Sequence, residues 1–220
     1  LVAVNRTSGK GERREEILNA AARVLARSVG SATMDDVARE AGLSKGGLYR
    51  HFQSKEELLI ALAIRSAKAF APLARAAAAE GSGQSSYATA CDIVHASVSY
   101  ANENSETLNL VVAMLRVTEV AEPLAPLLAQ YHDAIADLDH LVITTLERGQ
   151  QDGSVRTDVS ARRLSANLRG ALLGVLQILR GPSQARGYLA LAGFETDSAQ
   201  FVDVIMGALR PVASESASQP

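Results

Sequence analysis

Residues 33 to 59, TMDDVAREAGLSKGGLYRHFQSKEELL, spell out two short helices, a tight turn and the start of a third helix. Thr33 stands where an N-cap belongs, with Asp35 and Asp36 behind it. A side-chain oxygen there can satisfy an orphan amide while the carboxylates favour the positive helix end. This predicts a helix over residues 34–41. Gly42 supplies the left-handed residue that ends a helix at little cost, and Leu43 can fold back onto the last turn. Ser44 caps a second helix over residues 45–51, which buries Leu48 and Phe52 at i, i+4 and turns Lys45, Gly46, Tyr49, Arg50 and His51 outward. Ser54 with Glu57 predicts a capping box for a third helix starting at Lys55. Two helices joined by a short turn holding a glycine make a helix-turn-helix, whose second helix enters the major groove of DNA.

The same residues carry a more specific pattern. Thr33, Val37, Ala38, Ala41, Gly42, Ser44, Lys45, Gly46, Leu48, Tyr49, His51, Phe52, Lys55, Glu56 and Leu58 resemble the N-terminal domain of the tetracycline-repressor (TetR) family of bacterial regulators. The resemblance covers roughly residues 17 to 62; beyond them only the helical plan and the length are similar. It implies an all-α chain with an N-terminal helix-turn-helix DNA-binding domain and a C-terminal helical domain for ligand binding and dimerisation. It further implies a cytoplasmic bacterial homodimer, at the nucleoid when on DNA, that occludes a palindromic operator and is released by a small-molecule effector. The competing reading with the same head is an accessory or nucleoid-type DNA-binding protein without an effector.

Charge distribution agrees with one end meeting a polyanion. Residues 1–68 hold 12 Lys and Arg against 8 Asp and Glu, whereas residues 69–220 hold 10 against 16. The single cysteine, Cys91, excludes an internal disulfide and fits a reducing compartment. The opening LVAVNRTSGKGERR lacks the apolar core of a secretory leader, and the longest apolar run of the body, residues 171–179, is interrupted by Gln177, so no membrane span is expected. The division expected is a flexible basic arm over 1–11, a DNA-binding domain over 12–60, an effector-binding and dimerisation domain over 61–210 and a disordered tail over 211–220. Arg6 and Lys10 in the arm could reach a minor groove. From Glu12 the pattern Ile17, Ala21, Val24, Leu25, Ser28 predicts a first helix ended by Gly30, packed on Val37, Ala38, Leu48 and Phe52 as scaffold.

Within the reader, chemistry separates the roles. Lys45, at the start of the second helix, can reach guanine O6 and N7. Gly46 would let the backbone approach the groove, as the resemblance implies, and Gly47 leaves fewer side-chain contacts and more reading of DNA shape. Thr33, Ser44, Tyr49, His51 and Lys55 are assigned to phosphates, with Arg50 as a further contact.

The body reads as helices throughout. Pro72 should kink or break the helix that starts at Lys55, and GSGQSS at 81–86 reads as a flexible connection. Stripes at Tyr87, Cys91, Val94, Val98, Ala101 and at Leu108, Val111, Val112, Leu115 mark two helices. A long one follows Pro123 as far as Gln151 and stops at Gly153. Ser160 then caps a helix to Arg180, and Phe201, Val204, Ile205 and Leu209 mark the last. In the Ser160 helix, Ala166, Gly170 and Gly174 form a small-residue ridge beside Leu173. With Phe201 and Ile205 of the last helix, that ridge is the expected homodimer interface, a four-helix bundle across two chains. Polar or soft residues within apolar faces, His95, Asn109, Met114, Arg116, Asn167 and Gln177, are the candidate effector-lining groups. With no Trp and 4% aromatics the lining is mainly aliphatic, which favours an apolar effector.

Enzymatic and metal chemistry find little support. Asp133, Asp137 and His140 share one helix side, but it is the solvated one, so no metal site is expected. Cys91 and His95 stand at i, i+4 without an orienting carboxylate. No phosphate-binding glycine loop follows a strand, and nothing calls for a cofactor.

Overall fold

The computed structural model describes residues 6–27, 32–104, 106–114, 117, 122–180 and 198–211, and every regular element among them is helical. The elements are α1 (Arg6–Arg27), α2 (Met34–Glu40), α3 (Lys45–Tyr49), α4 (Lys55–Glu80), α5 (Ser86–Glu103), α6 (Glu106–Met114), α7 (Ala125–Gln151), α8 (Ala161–Arg180) and α9 (Ser198–Gly207), with single 3-10 turns at Gly81–Gly83 and Glu122–Leu124. Their contacts divide the chain into two compact units, one of residues 1–69 with 101–135, the other of residues 70–100 with 136–220.

The first unit is built on the apolar stripe of α1. Ile17, Ala21, Val24 and Leu25 pack on Met34, Val37 and Ala38 of α2, on Leu48 and Phe52, and on Leu58, Leu59 and Leu62 of α4. Helices as short as α2 and α3 are not stable by themselves, so this shared core holds them in place. Leu110 and Met114 of α6 close the same core, and the Asn109 side-chain amide donates to the Leu25 carbonyl at 2.7 Å. The carbonyl at the end of α1 is thus satisfied from another element. α1 begins at Arg6, so residues 6–11, expected as part of a flexible arm, are helical. Ser28 and Gly30 lie outside the described residues.

In the second unit, Ala90, Val94 and Val98 of α5 form a core with Leu146 of α7, Val155, Leu164 and Leu168 of α8, and Val202, Met206 and Leu209 at and beyond α9. The first amides of α5 are satisfied by the turn after α7: Ser86 N–H donates to the Asp152 carboxylate at 3.0 Å and Tyr87 N–H to Ser154 Oγ at 3.1 Å. Bonds to the Asp152 carboxylate, first from the Ser154 side chain and then from Ser86, hold it well below the usual carboxylate range. Gly153, at φ +77°, reverses the chain after α7.

Of the break or kink expected at Pro72, the break does not occur: α4 runs through it to Glu80, since proline fits helical φ and a long helix tolerates the loss of one backbone hydrogen bond. The stretch at 81–86 is a tight turn rather than a flexible connection: Gly81 is buried, and Thr89 Oγ1 donates to its carbonyl at 2.8 Å. In α6, Leu110 and Met114 are buried and Val111 and Val112 half-buried, because α6 packs on α1 through its Asn109–Leu110 side; Leu115 and the side chain of Leu108 lie outside the described residues.

Candidate nucleic-acid interface

The turn between α2 and α3 is built from both ends. Thr33 Oγ1 accepts from the Asp36 amide at 3.2 Å, and the Asp36 carboxylate accepts from the Thr33 amide at 3.1 Å, a complete capping box. The Thr33 hydroxyl also donates to the Asp36 carboxylate at 2.6 Å, and this bond, ahead of the one from the Thr33 amide, lowers the Asp36 carboxyl from its ordinary value. At the other end of α2, Leu43 N–H donates to the Ala38 carbonyl at 2.8 Å and Gly42 N–H to Arg39 at 3.2 Å. With Gly42 at φ +64°, this is a Schellman closure. Ser44 Oγ then accepts from the Gly47 amide at 3.1 Å and starts α3.

Around that start the structure presents Lys45, Gly46, Tyr49 and Arg50 at the surface, with His51 half-buried. A side chain added at Gly46 would meet nothing within 4 Å, so this backbone is open to close approach. Gly47 is different. It is buried, and a Cβ there would stand 3.2 Å from Ser44 Oγ and 3.4 Å from Leu43 Cδ2. Its missing side chain makes room for the cap that starts α3. Thr33, Ser44 and Lys55 are exposed at their caps and helix start.

Beyond α3, Ser54 Oγ accepts from the Glu57 amide at 3.1 Å, but the Glu57 carboxylate accepts from the Gln53 amide at 2.7 Å, not from that of Ser54. The expected capping box is therefore displaced by one residue on its return arm. The Glu57 carboxylate is also shared with Arg14 of α1, at 3.3 Å. Arg14 lies over the Phe52 ring at 4.0 Å and donates to the His51 carbonyl. One guanidinium thus ties α1 to the chain between α3 and α4. Nothing in the sequence singles out Arg14; it reads as one more basic residue on the polar face of a helix.

Every acid of α2 is matched to a base. Asp36 pairs with Arg39, Glu40 with Arg23 and Arg27, and Asp35 with Lys45, whose Nζ lies 3.0 Å from Asp35 Oδ1. The hydrogen bond to Asp35 raises the Lys45 ammonium above its ordinary value.

Of the candidate effector residues, Asn109 and Met114 belong to the first unit and His95, Asn167 and Gln177 to the second. His95 is half-buried in the second unit, 3.3 Å from the Asp203 carboxylate. Asn167 and Gln177 are exposed on α8. Asn109 is committed to the Leu25 carbonyl and Met114 to the core of the first unit, so both serve packing. Arg116 lies outside the described residues. On α8, Ala166, Gly170 and Gly174 are exposed and Leu173 is half-buried, while Ala161, Leu164 and Leu168 face the core. Ile205 of α9 is half-buried beside the exposed Val204; the side chain of Phe201 lies outside the described residues. Among the described residues no group of acidic, His and Cys side chains is arranged to hold a metal, and no helix is long and apolar enough to cross a membrane.

Residues 17–62 match the family model described as bacterial regulatory proteins, tetR family. Over 54 residues the chain is 46% identical to the HTH-type transcriptional repressor KstR2 of Rhodococcus jostii (strain RHA1), a stretch covering 24% of this chain and 26% of that one. Over 52 residues it is 44% identical to the HTH-type transcriptional regulator SrpR of Pseudomonas putida, covering 23% and 24%. The match spans about a quarter of the length of these relatives. The fold extends further: the structure of the ketosteroid transcriptional regulator KstR2 of Mycobacterium tuberculosis aligns with 90% of this chain and 95% of its own, at a TM-score of 0.62 and 21% identity. The head at residues 17–62 thus matches the tetR family of bacterial regulatory proteins in sequence, and the chain shares the helical fold of a solved regulator along nearly its whole length.

Proposed function

We propose that this protein is a sequence-specific DNA-binding transcriptional regulator, a repressor that occupies a palindromic operator as a homodimer and leaves it when an apolar small molecule binds its body. The observation that carries the reading is the surface around the start of α3, where Lys45, Tyr49 and Arg50 stand exposed on a helix whose entry is held by the Gly42 turn and the Ser44 cap. Lys45 reads a base, Gly46 allows close approach, and Thr33, Ser44, Tyr49, Arg50, His51 and Lys55 engage phosphates. Gly47, being buried, supports the cap instead of touching DNA.

Selection of bound duplexes from a random pool, followed by a salt series on the winner, tests this. The expected result is a palindrome with half-sites about one helical turn apart and an affinity that falls steeply with salt. Lys45→Ala and Tyr49→Ala should each weaken binding by about 1–3 kcal/mol without lowering the melting temperature, since both side chains are exposed. Unchanged affinity in both variants would refute the contact assignment.

Dimerisation is proposed through α8 and α9. The exposed ridge of Ala166, Gly170 and Gly174 lets a second helix come close, and a side chain added at either glycine meets nothing within 4 Å in the single chain. Gly170→Leu or Gly174→Leu should therefore leave the fold intact and halve the mass in solution. A dimer mass retained in both variants would rule out this interface.

A further inference from the structure

The head's cations are not equally available. Arg50 and Lys55 have no acid partner among the described residues, whereas Lys45, the residue assigned to the base edge, is paired with Asp35 across the turn. Apart from the favourable charge of a carboxylate in the first turn of α2, Asp35 has no structural duty there. The cap of α2 is made by Thr33 and Asp36, and the Asp35 side chain is 62% exposed. An exposed ion pair of this kind contributes roughly 0–1 kcal/mol to stability, too little to staple the turn. It is enough to bias where a flexible ammonium points.

Resting on the DNA-reader function proposed above, we infer that Asp35 is a specificity residue, which holds one N–H of Lys45, keeps the ammonium off backbone phosphates and leaves its remaining donors for a guanine edge. A lysine has three donors, and guanine offers two acceptors, O6 and N7, in the major groove. With Asp35 engaged, two donors remain, the number that edge requires. Every duplex of any sequence presents about one phosphate charge per 1.7 Å of axis. A Lys45 without its carboxylate would swing to the nearest phosphate, which carries no sequence information. The Asp35 carboxylate opposes this twice, by competing for the ammonium and by repelling the phosphate.

The experiment is a double-mutant cycle of Asp35→Asn and Lys45→Ala, measured on the selected duplex and on a scrambled duplex of equal length across a salt series. Asp35→Asn should tighten binding to the scrambled duplex about fivefold at low salt and steepen its salt slope by about one. Binding to the selected duplex should gain less, so the ratio between the two falls. In the Lys45→Ala background the Asp35→Asn gain should shrink to the part owed to lost phosphate repulsion alone, well below the gain seen with Lys45 present. An equal gain on both duplexes, an equal gain with and without Lys45, or no gain on the scrambled duplex would each overturn the inference while the reader stands. A wild-type protein with no preferred duplex would overturn the reader itself, and the inference with it. Since Asp36 keeps the cap, the variants should melt with the wild type.

Discussion

Phe52→Ala is expected to destabilise the protein by about 3–5 kcal/mol, the usual cost of removing a fully buried aromatic ring. The Phe52 side chain is completely buried, in one cluster with Ile17, Leu48 and Leu58 from three other stretches of the chain. Its loss would leave a cavity where these helices meet. It would also remove the ring on which the Arg14 guanidinium lies, and Arg14 is the group that reaches both the His51 carbonyl and the Glu57 carboxylate. Because Phe52 directly follows the end of the reader, the variant should lose DNA affinity along with stability. Phe52→Leu keeps much of the volume and should recover more than half of the lost stability. Denaturant unfolding decides: an alanine variant within about 1 kcal/mol of the wild type would mean that the ring does not hold the head together.

Gly149→Ala is expected to cost about 1–3 kcal/mol or more, from overpacking where no space exists. Gly149 is buried near the end of α7, and a Cβ there would stand 2.4 Å from Val155 Cγ2 and 3.0 Å from Val155 Cβ. Neither atom can move aside easily. Val155 is 1% exposed in the same cluster as Leu146, and its amide donates to the Gly149 carbonyl at 2.9 Å, which holds the two backbones together. The turn carrying Asp152 and Ser154 lies between them, so a forced separation also disturbs the caps of α5. The cause can be isolated by Val155→Ala, which removes the clashing methyl. Added to Gly149→Ala, it should destabilise far less than it does alone, a coupling that thermal unfolding of the four proteins would show. Strict additivity would mean that the two positions do not collide.

What could be read from the chain, and what could not, follows from the range of the interactions. Thr33, Gly42 and Ser44 act on residues within a few positions of themselves, so caps and turn were legible residue by residue. Helical periodicity also gave α1 and α7, whose stripes are long. It did not give partners. Asn109 reads as an odd polar residue in an apolar face, suited to a ligand, yet its amide bonds the Leu25 carbonyl 84 positions away. Lys45 and Asp35 were each assigned alone, one to a base and the other to the helix end, and only the folded turn brings them together. Gly47 looked like its neighbour Gly46, but one faces outward and the other the Ser44 cap. The direction a glycine faces in a five-residue helix leaves no periodic trace.

The packing of α6 on α1 bears on the order in which the head can be completed during synthesis. Leu110, Met114 and the Asn109 amide belong to the same unit as α1 to α3, although more than half of the first 114 residues separate them from the reader. A chain leaving the ribosome N-terminus first exposes the helix-turn-helix well before α6 emerges to cover it. Until then the end of α1 has a carbonyl without its amide, and the core lacks two of its apolar side chains. The nascent head is therefore an unfinished DNA reader, and the step that finishes it waits on residues that lie beyond the whole of α4 and α5.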